Sequence, residues 1–273
     1  AGLFVAACSS LLQVLGILPL ARGIPSLIFS KHINGSMFLV LGLSLLFTYL
    51  KESACNQRRL LIIGTMILFM FILGVSGGRS GYVSLLLVAP LLIYKATGHF
   101  HLKKILFAVM LVIILLFSFG TVRDRFAEIG NDIQAYYAGN PNSSIGLRLH
   151  MWDSSLKIMA QHPFLGIGTG SYQMMMEQYE RVNQEAVVHK INNPHNNLLY
   201  MAVNFGFLGL AIVLWLFYAL IKKGWQAKDT RAGFAVLAYG VIVIMVGLTS
   251  TTIIDFATAN MMSLMFGIRT PEE

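Results

Sequence analysis

The chain has 273 residues, is 56% hydrophobic, is only 12% Asp, Glu, Lys and Arg, and carries a formal net charge of +8. A soluble globular domain usually carries about 25% charged residues, so this composition, with a mean hydropathy of +0.69, excludes an ordinary water-soluble fold and points to lipid as the solvent. The basic balance is not a nucleic-acid signal, and no nucleic-acid partner is expected: the Lys and Arg fall in loops between apolar runs, where they report membrane topology.

A spanning helix needs roughly 20 mostly apolar residues. About eight candidates follow one another along the chain: 1–21, 36–50, 60–77, 80–97, 105–122, 197–221, 233–249 and 252–268. The first starts inside an apolar stretch at Ala1, with neither Met nor a basic flank. That is not a signal-peptide pattern, and it reads as an N-terminally truncated chain with some membrane helices missing. The second is short for a span. The third and fourth are joined by a tight turn, Ser76-Gly77-Gly78-Arg79-Ser80-Gly81. One long polar segment, 123–196, separates the fifth from the sixth. The predicted fold class is therefore all-α: a polytopic membrane protein with about eight transmembrane helices and one long periplasmic loop. Its predicted parts are N-terminal membrane helices over 1–122, the loop over 123–196, and C-terminal membrane helices over 197–273.

Orientation follows from Lys and Arg. The loops on one side hold eleven of them against four acids, and the loops on the other hold nine against eight. The short, strongly basic loops are predicted to face the cytoplasm and the 123–196 loop to face outward.

Within that loop, Ser143 and Ser144 are candidate caps for a helix over about 145–161. Leu149, Trp152, Leu156 and Met159 recur at helical spacing, with His150, Asp153, Lys157 and Gln161 opposite. The pattern predicts an amphipathic helix at the membrane surface, stopped by Pro163. A glycine-punctuated turn, 164–170, and a short helix over 171–180 follow, and 181–194 reads as irregular. Cys8 and Cys55 lie outside the loop, so no disulfide and no Cys-based metal site is expected.

Three residues stand out as chemistry. Arg79 sits at the tip of a helical hairpin, either as a ligand-binding cation or as an interfacial Arg on lipid phosphate. Arg148 falls in the first turn of the amphipathic helix, where the helix dipole disfavours a cation unless an anion joins it, gripped by backbone N–H groups and the guanidinium together; the alternative is an Arg stacked on Trp152 four residues on. His195 lies where the loop meets the sixth apolar run, as a proton acceptor or as part of a capping segment. Asn196 and Asn197 beside it can orient the imidazole or a sugar. Asp255, between two apolar runs, is either a functional carboxylate or a residue at the top of a re-entrant bend.

Together these elements resemble a known family. Gly77-Gly78-Arg79-Ser80-Gly81 is followed by Arg148 with Trp152, and then by His162-Pro163-Phe164-Leu165-Gly166-Ile167-Gly168-Thr169-Gly170. Last come Pro194-His195-Asn196 and Asn204-Phe205-Gly206-Phe207-Leu208-Gly209. In this order around an outward loop they look like the O-antigen ligase/polymerase superfamily of bacterial inner-membrane glycosyltransferases, over about 60–268. The resemblance implies transfer of a glycan from an undecaprenyl-pyrophosphate carrier to a lipid A–core sugar on the periplasmic face, without a metal or other cofactor. The alternatives are a polymerase of the same superfamily, with a growing glycan as acceptor, or a transporter of the lipid-linked glycan. The family's outward arginines match Arg79 and Arg148, and its loop histidine matches His195. Arg79 and Arg148 would then hold the donor pyrophosphate, and His195 and Arg148 would be catalytic, with Trp152 and Asn196 supporting. Many relatives carry an acid where Asn204 stands, so no catalytic carboxylate is assigned there. Relatives also have more membrane helices, about twelve.

Overall fold

The computed structural model describes residues 2–15, 17, 32–182 and 192–269. The far end of the first predicted span, most of the predicted irregular segment 181–194, and Arg22, Lys31, Glu185, Lys190, Glu272 and Glu273 lie outside the described residues. The described chain is helical throughout its regular elements: α1 (Gly2–Val14), α2 (His32–Glu52), α3 (Asn56–Val75), α4 (Arg79–Thr97), α5 (Leu102–Phe117), α6 (Gly120–Tyr137), α7 (Ser144–Gln161), α8 (Tyr172–Val182), α9 (Asn197–Gln226), α10 (Arg231–Gly247) and α11 (Phe256–Gly267).

Helices occupy all eight predicted apolar segments. By length and composition, α2, α3, α4 and α9 can each cross a membrane; α5 and α6 together make a fifth crossing if the pair, bent by 95°, counts as one. α1 and α10 are apolar but shorter, and α11 has 12 residues. α2 is longer than its sequence prediction, at 21 residues, because residues 32–35 and 51–52 extend it past the apolar run.

The segment read as one polar loop is mostly helical. α6 was not predicted, because its five charged residues mask a helical row of Val122, Phe126, Ile129 and Ile133. α7 matches its prediction closely. Ser143 caps it, its hydroxyl accepting the Gly146 N–H at 3.0 Å, and α7 stops at Gln161, two residues before Pro163. Its buried face differs from the predicted one. Gly146, His150, Met151, Ser154, Ser155 and Ile158 are buried, whereas Leu156 is exposed. His150, assigned to the solvated side, is inside because Glu180 of α8 meets it at 3.1 Å.

The chain divides into two compact units. The first comprises Ala1–Arg125, Leu220–Val246 and Asn260–Glu273. Here α2 packs on α3 and α4, and α4 on α5. Small residues permit this: a Cβ on Gly81 would lie 2.5 Å from Ser36 Cβ, and one on Gly42 would lie 2.7 Å from the Phe69 ring. Without a hydrophobic drive between helices in lipid, such close van der Waals packing is what holds spans together. The second unit comprises Phe126–Ala219 and Gly247–Ala259. Met151, Ile158, Tyr172, Met176 and Val203 form its core, so α7, α8 and the first part of α9 share one apolar centre.

Candidate functional site

In the first unit, Arg79 opens α4 after a turn in which Gly77 has φ 67°. An L side chain rarely adopts that conformation. The carbonyl of Gly74 collects two hydroxyls: Thr121 Oγ1 at 2.6 Å and Tyr82 OH at 3.2 Å. The Phe119 ring lies 2.6 Å from where a Gly74 Cβ would be, and Arg125 Nε lies 3.4 Å from where a Gly77 Cβ would be. The elbow between α5 and α6 thus backs the Arg79 turn and brings a second guanidinium against it. Sequence reasoning missed Thr121 and Arg125. They sit at i and i+4 of a helix that composition had hidden.

In the second unit, Arg148, Trp152, His195 and Asn196 come together around a Thr-rich bend. Arg148 Nε donates to Thr249 O at 3.2 Å, and its Nη1 donates to Ser144 O and Ser144 Oγ, both at 2.9 Å. Trp152 Nε1 donates to Pro194 O at 3.0 Å. Asn196 Nδ2 donates to Leu248 O at 3.1 Å, and the Asn196 N–H donates to Thr251 Oγ1 at 3.1 Å. Asn196 Oδ1 also caps α9, accepting the N–H groups of Leu198 and Leu199 at 2.8 and 3.1 Å. Asn197 is fully buried. Its side chain donates to Thr252 Oγ1 and accepts from the backbones of Thr252 and Ile253. The bend 248–252 therefore ties Arg148 to the Pro194–Asn197 turn.

His195 is the only non-glycine residue with positive φ, at 49°, among the described residues. A residue held in the left-handed region costs on the order of 1–3 kcal/mol and persists only where its surroundings fix it. The Trp152 and Asn196 bonds on either side supply that, with Asn193 Oδ1 accepting the His195 N–H at 3.0 Å. His195 as a whole is half-buried, and its Nδ1 is buried.

One element of the Arg148 reading is corrected. The first amides of α7 are not open to an anion: Ile145 N–H donates to Asp132 Oδ2, Gly146 N–H to Ser143 Oγ and Leu147 N–H to Ser143 O. Arg148 lies just past the first turn and reaches back to the Ser144 carbonyl. Any anion there would meet the guanidinium and not the helix amides. Asp255 immediately precedes α11, and its carbonyl accepts the Ala259 N–H at 2.9 Å. This is an N-cap position at a bend.

A third feature lies under this junction. α9 is broken at Gly206, with φ 62° and ψ −154°. The break frees Val203 O, Asn204 O and Phe207 N–H, among other groups, from their helical partners. The segment after Pro163 takes all three: Ile167 N–H donates to Val203 O at 2.9 Å, Gly168 N–H to Asn204 O at 3.0 Å, and Phe207 N–H to Pro163 O at 2.8 Å. The backbones touch, so that a Cβ on Gly206 would lie 2.2 Å from Phe164 O and one on Gly166 would lie 2.4 Å from Val203 O. In lipid every backbone polar group must find a protein partner, and this strap provides it. Asn204 is buried with its Nδ2 on Tyr200 O at 2.8 Å, while its Oδ1 meets no hydrogen-bond donor among the described residues.

Electrostatics beside the junction are set by burial and pairing. Tyr172, packed in the core and hydrogen-bonded to Ser155 at 2.8 Å, has its pKa pushed above the ordinary phenol range by desolvation. Lys157, on the exposed side of α7, has its pKa raised by its hydrogen bond to Asp153.

Comparison with known proteins matches residues 64–214 to the family described as O-antigen ligase. An uncharacterized protein of Haemophilus influenzae is 25% identical over 157 residues, 55% of this chain and 39% of that protein. An O-antigen ligase of Escherichia coli K12 is 22% identical over 142 residues, 50% of this chain and 33% of that protein. In these alignments the chain spans well under half the length of either relative. The matched stretch covers the Arg79 turn, the Arg148 helix, the strap and the His195 turn, and the chain belongs to the O-antigen ligase family.

Proposed function

We propose that the protein is a membrane glycosyltransferase that moves a glycan from an undecaprenyl-pyrophosphate carrier to a lipid A–core sugar on the periplasmic face of the bacterial inner membrane, without a metal. The observation that carries this reading is the junction: Arg148 and the Pro194–Asn197 turn are tied to one bend, 248–252, by Arg148 Nε to Thr249 O and Asn196 Nδ2 to Leu248 O. A guanidinium bonded to the bend, and a histidine in the turn that the same bend holds, suit a reaction that must hold a diphosphate and move a proton.

In the proposed step, the bond between the anomeric carbon and the carrier's diphosphate oxygen breaks. The acceptor hydroxyl oxygen bonds to that carbon from the opposite face, inverting it. The hydroxyl proton passes to His195. The diphosphate departs on its lipid, its developing charge held by Arg148; the family resemblance assigns Arg79 to the same anion. Planar guanidiniums grip phosphate oxygens bidentately, and fixed charges aimed at a leaving group are worth most where water is excluded. An apolar groove of about 430 Å³ in the first unit, lined by Ile63, Ile67, Phe71, Leu115 and Phe119 among others, is of the kind that accepts an isoprenoid tail.

A transporter of the same lipid-linked glycan would use broken helices whose freed backbone groups face a substrate cavity. The break in α9 does not favour it, because the strap takes up Val203 O, Asn204 O and Phe207 N–H there. To test the reading, purified protein is supplied with undecaprenyl-pyrophosphate glycan and either lipid A–core or further donor. Extension of lipid A–core is expected. Elongation of donor alone would assign a polymerase, and consumption of neither would overturn the glycosyltransferase reading.

A further inference from the structure

Phe164 and Leu165 are 76% and 80% exposed, though they sit in a segment bonded backbone to backbone with α9. Their neighbours are bonded to α9 on both sides, through Pro163 O and through the Ile167 and Gly168 amides. Exposure of a rigid, bulky apolar pair needs a partner. The surroundings say which. The Phe164 ring meets the Phe207 ring edge-on at 6.3 Å. Phe207 begins an exposed apolar row on α9 that continues through Leu208, Ile212 and Trp215. α9 is long and apolar enough to cross a membrane, so the pair continues the lipid-facing surface of a span.

Depth along α9 agrees. Lys222 lies sixteen residues after Gly206, about 24 Å of helix, and the hydrocarbon core is about 30 Å thick. Lys222 and Lys223 follow the apolar run and mark one headgroup level. Gly206 then lies a few ångströms short of the opposite one, still among acyl chains. A break at that depth has no water to satisfy it, which is why the strap has to reach it.

We propose that the turn after α7 is a membrane-inserted wedge, with Phe164 and Leu165 buried among the acyl chains of the leaflet at the Asn197 end of α9. The wedge fastens the strap, and through it the α9 break, to the bilayer. A loop read from sequence as a glycine-punctuated turn is thereby a lipid contact.

The test uses the full chain with Cys8 and Cys55 replaced by Ser, reconstituted in vesicles of phosphatidylethanolamine and phosphatidylglycerol. Three single cysteines carry an environment-sensitive fluorophore: Leu165→Cys, Leu208→Cys as a lipid-facing reference, and Asp153→Cys as a water-facing one. Circular dichroism checks that each variant is folded. Lipids bearing a nitroxide near the headgroup end of the acyl chain should quench the labels at 165 and 208 at least threefold more than the label at 153, and aqueous iodide should do the reverse. Quenching at 165 equal to that at 153 would overturn the proposal. So would cross-linking of position 165 between two copies, which would make the pair a protein interface, or loss of lipid quenching at 165 on adding a polyisoprenyl diphosphate, which would make it the donor's tail site.

Discussion

The Arg79 turn and the His195 turn present their side chains by different means. Arg79 comes from five consecutive residues, Gly77 to Gly81, whose shape is local: one positive φ, a helix start, and a single elbow behind it. His195 is held at positive φ, with its N–H on Asn193 Oδ1, and is fixed from outside its turn as well. Its geometry is imposed by Trp152 from α7 and by the bend 248–252 acting through Asn196. A local device tolerates changes elsewhere in the fold. An assembled one transmits them, and residues far from the chemistry become able to misplace it by the ångström that matters for positioning.

The largest expected effects test the cations of the two regions against each other. Arg79→Ala and Arg148→Ala should each lower glycan transfer by about 100-fold or more, the scale of removing a fixed group that stabilises developing charge. Lys at either position should restore little, because it lacks the planar fork. Arg148→Ala should in addition lower stability by about 1–2 kcal/mol, through loss of its bonds to Ser144 and Thr249. Full transfer by either Ala variant, with donor at saturation, would break the comparison at that region.

A smaller effect probes the strap. Gly206→Ala forces a side chain into a positive-φ site against the Phe164 carbonyl, and should cost about 2–4 kcal/mol. Thermal unfolding in detergent reads the loss. Hydrogen exchange should speed at Ile167 and Gly168 before it does in α4. Equal acceleration in α4 would mean that the strap is not the element released.

The smallest expected effect concerns the junction's hub. Asn196→Ala removes the α9 cap and the bond to Leu248, and should cost about 1–2 kcal/mol. The exchange rates of the Leu198 and Leu199 amides are the direct readout. Asn196→Asp keeps the capping oxygen while losing the donor, and should recover the cap but not the bond to Leu248. Full recovery of transfer by Asp would show that the Leu248 bond is dispensable.

The same contrast explains what the sequence made legible. Hydropathy located the helices, and Ser143 and Pro163 bounded α7, because those signals are local. The Arg79 turn was readable for the same reason. α6 was not, since its charges hid an apolar row that has meaning only against its neighbours. His150 was put on the wrong side of α7, because its partner Glu180 is thirty residues away. The bend 248–252 went unremarked, although Thr249, Ser250, Thr251 and Thr252 are a polar run between two apolar ones; such an interruption is the signal that would have found it. The glycines at 166 and 206 were noted as motif letters. Their reason, two backbones in contact across a helix break, exists only in three dimensions.

The central claim is that His195 takes the acceptor's proton at a site where Arg148 holds the donor. It is tested most directly by measuring donor binding and single-turnover transfer with His195→Ala and the unaltered protein, side by side. Binding of undecaprenyl-pyrophosphate glycan should stay within about threefold, while transfer falls by about 100-fold or more, the usual scale of a general base. Undiminished transfer by His195→Ala would contradict the claim.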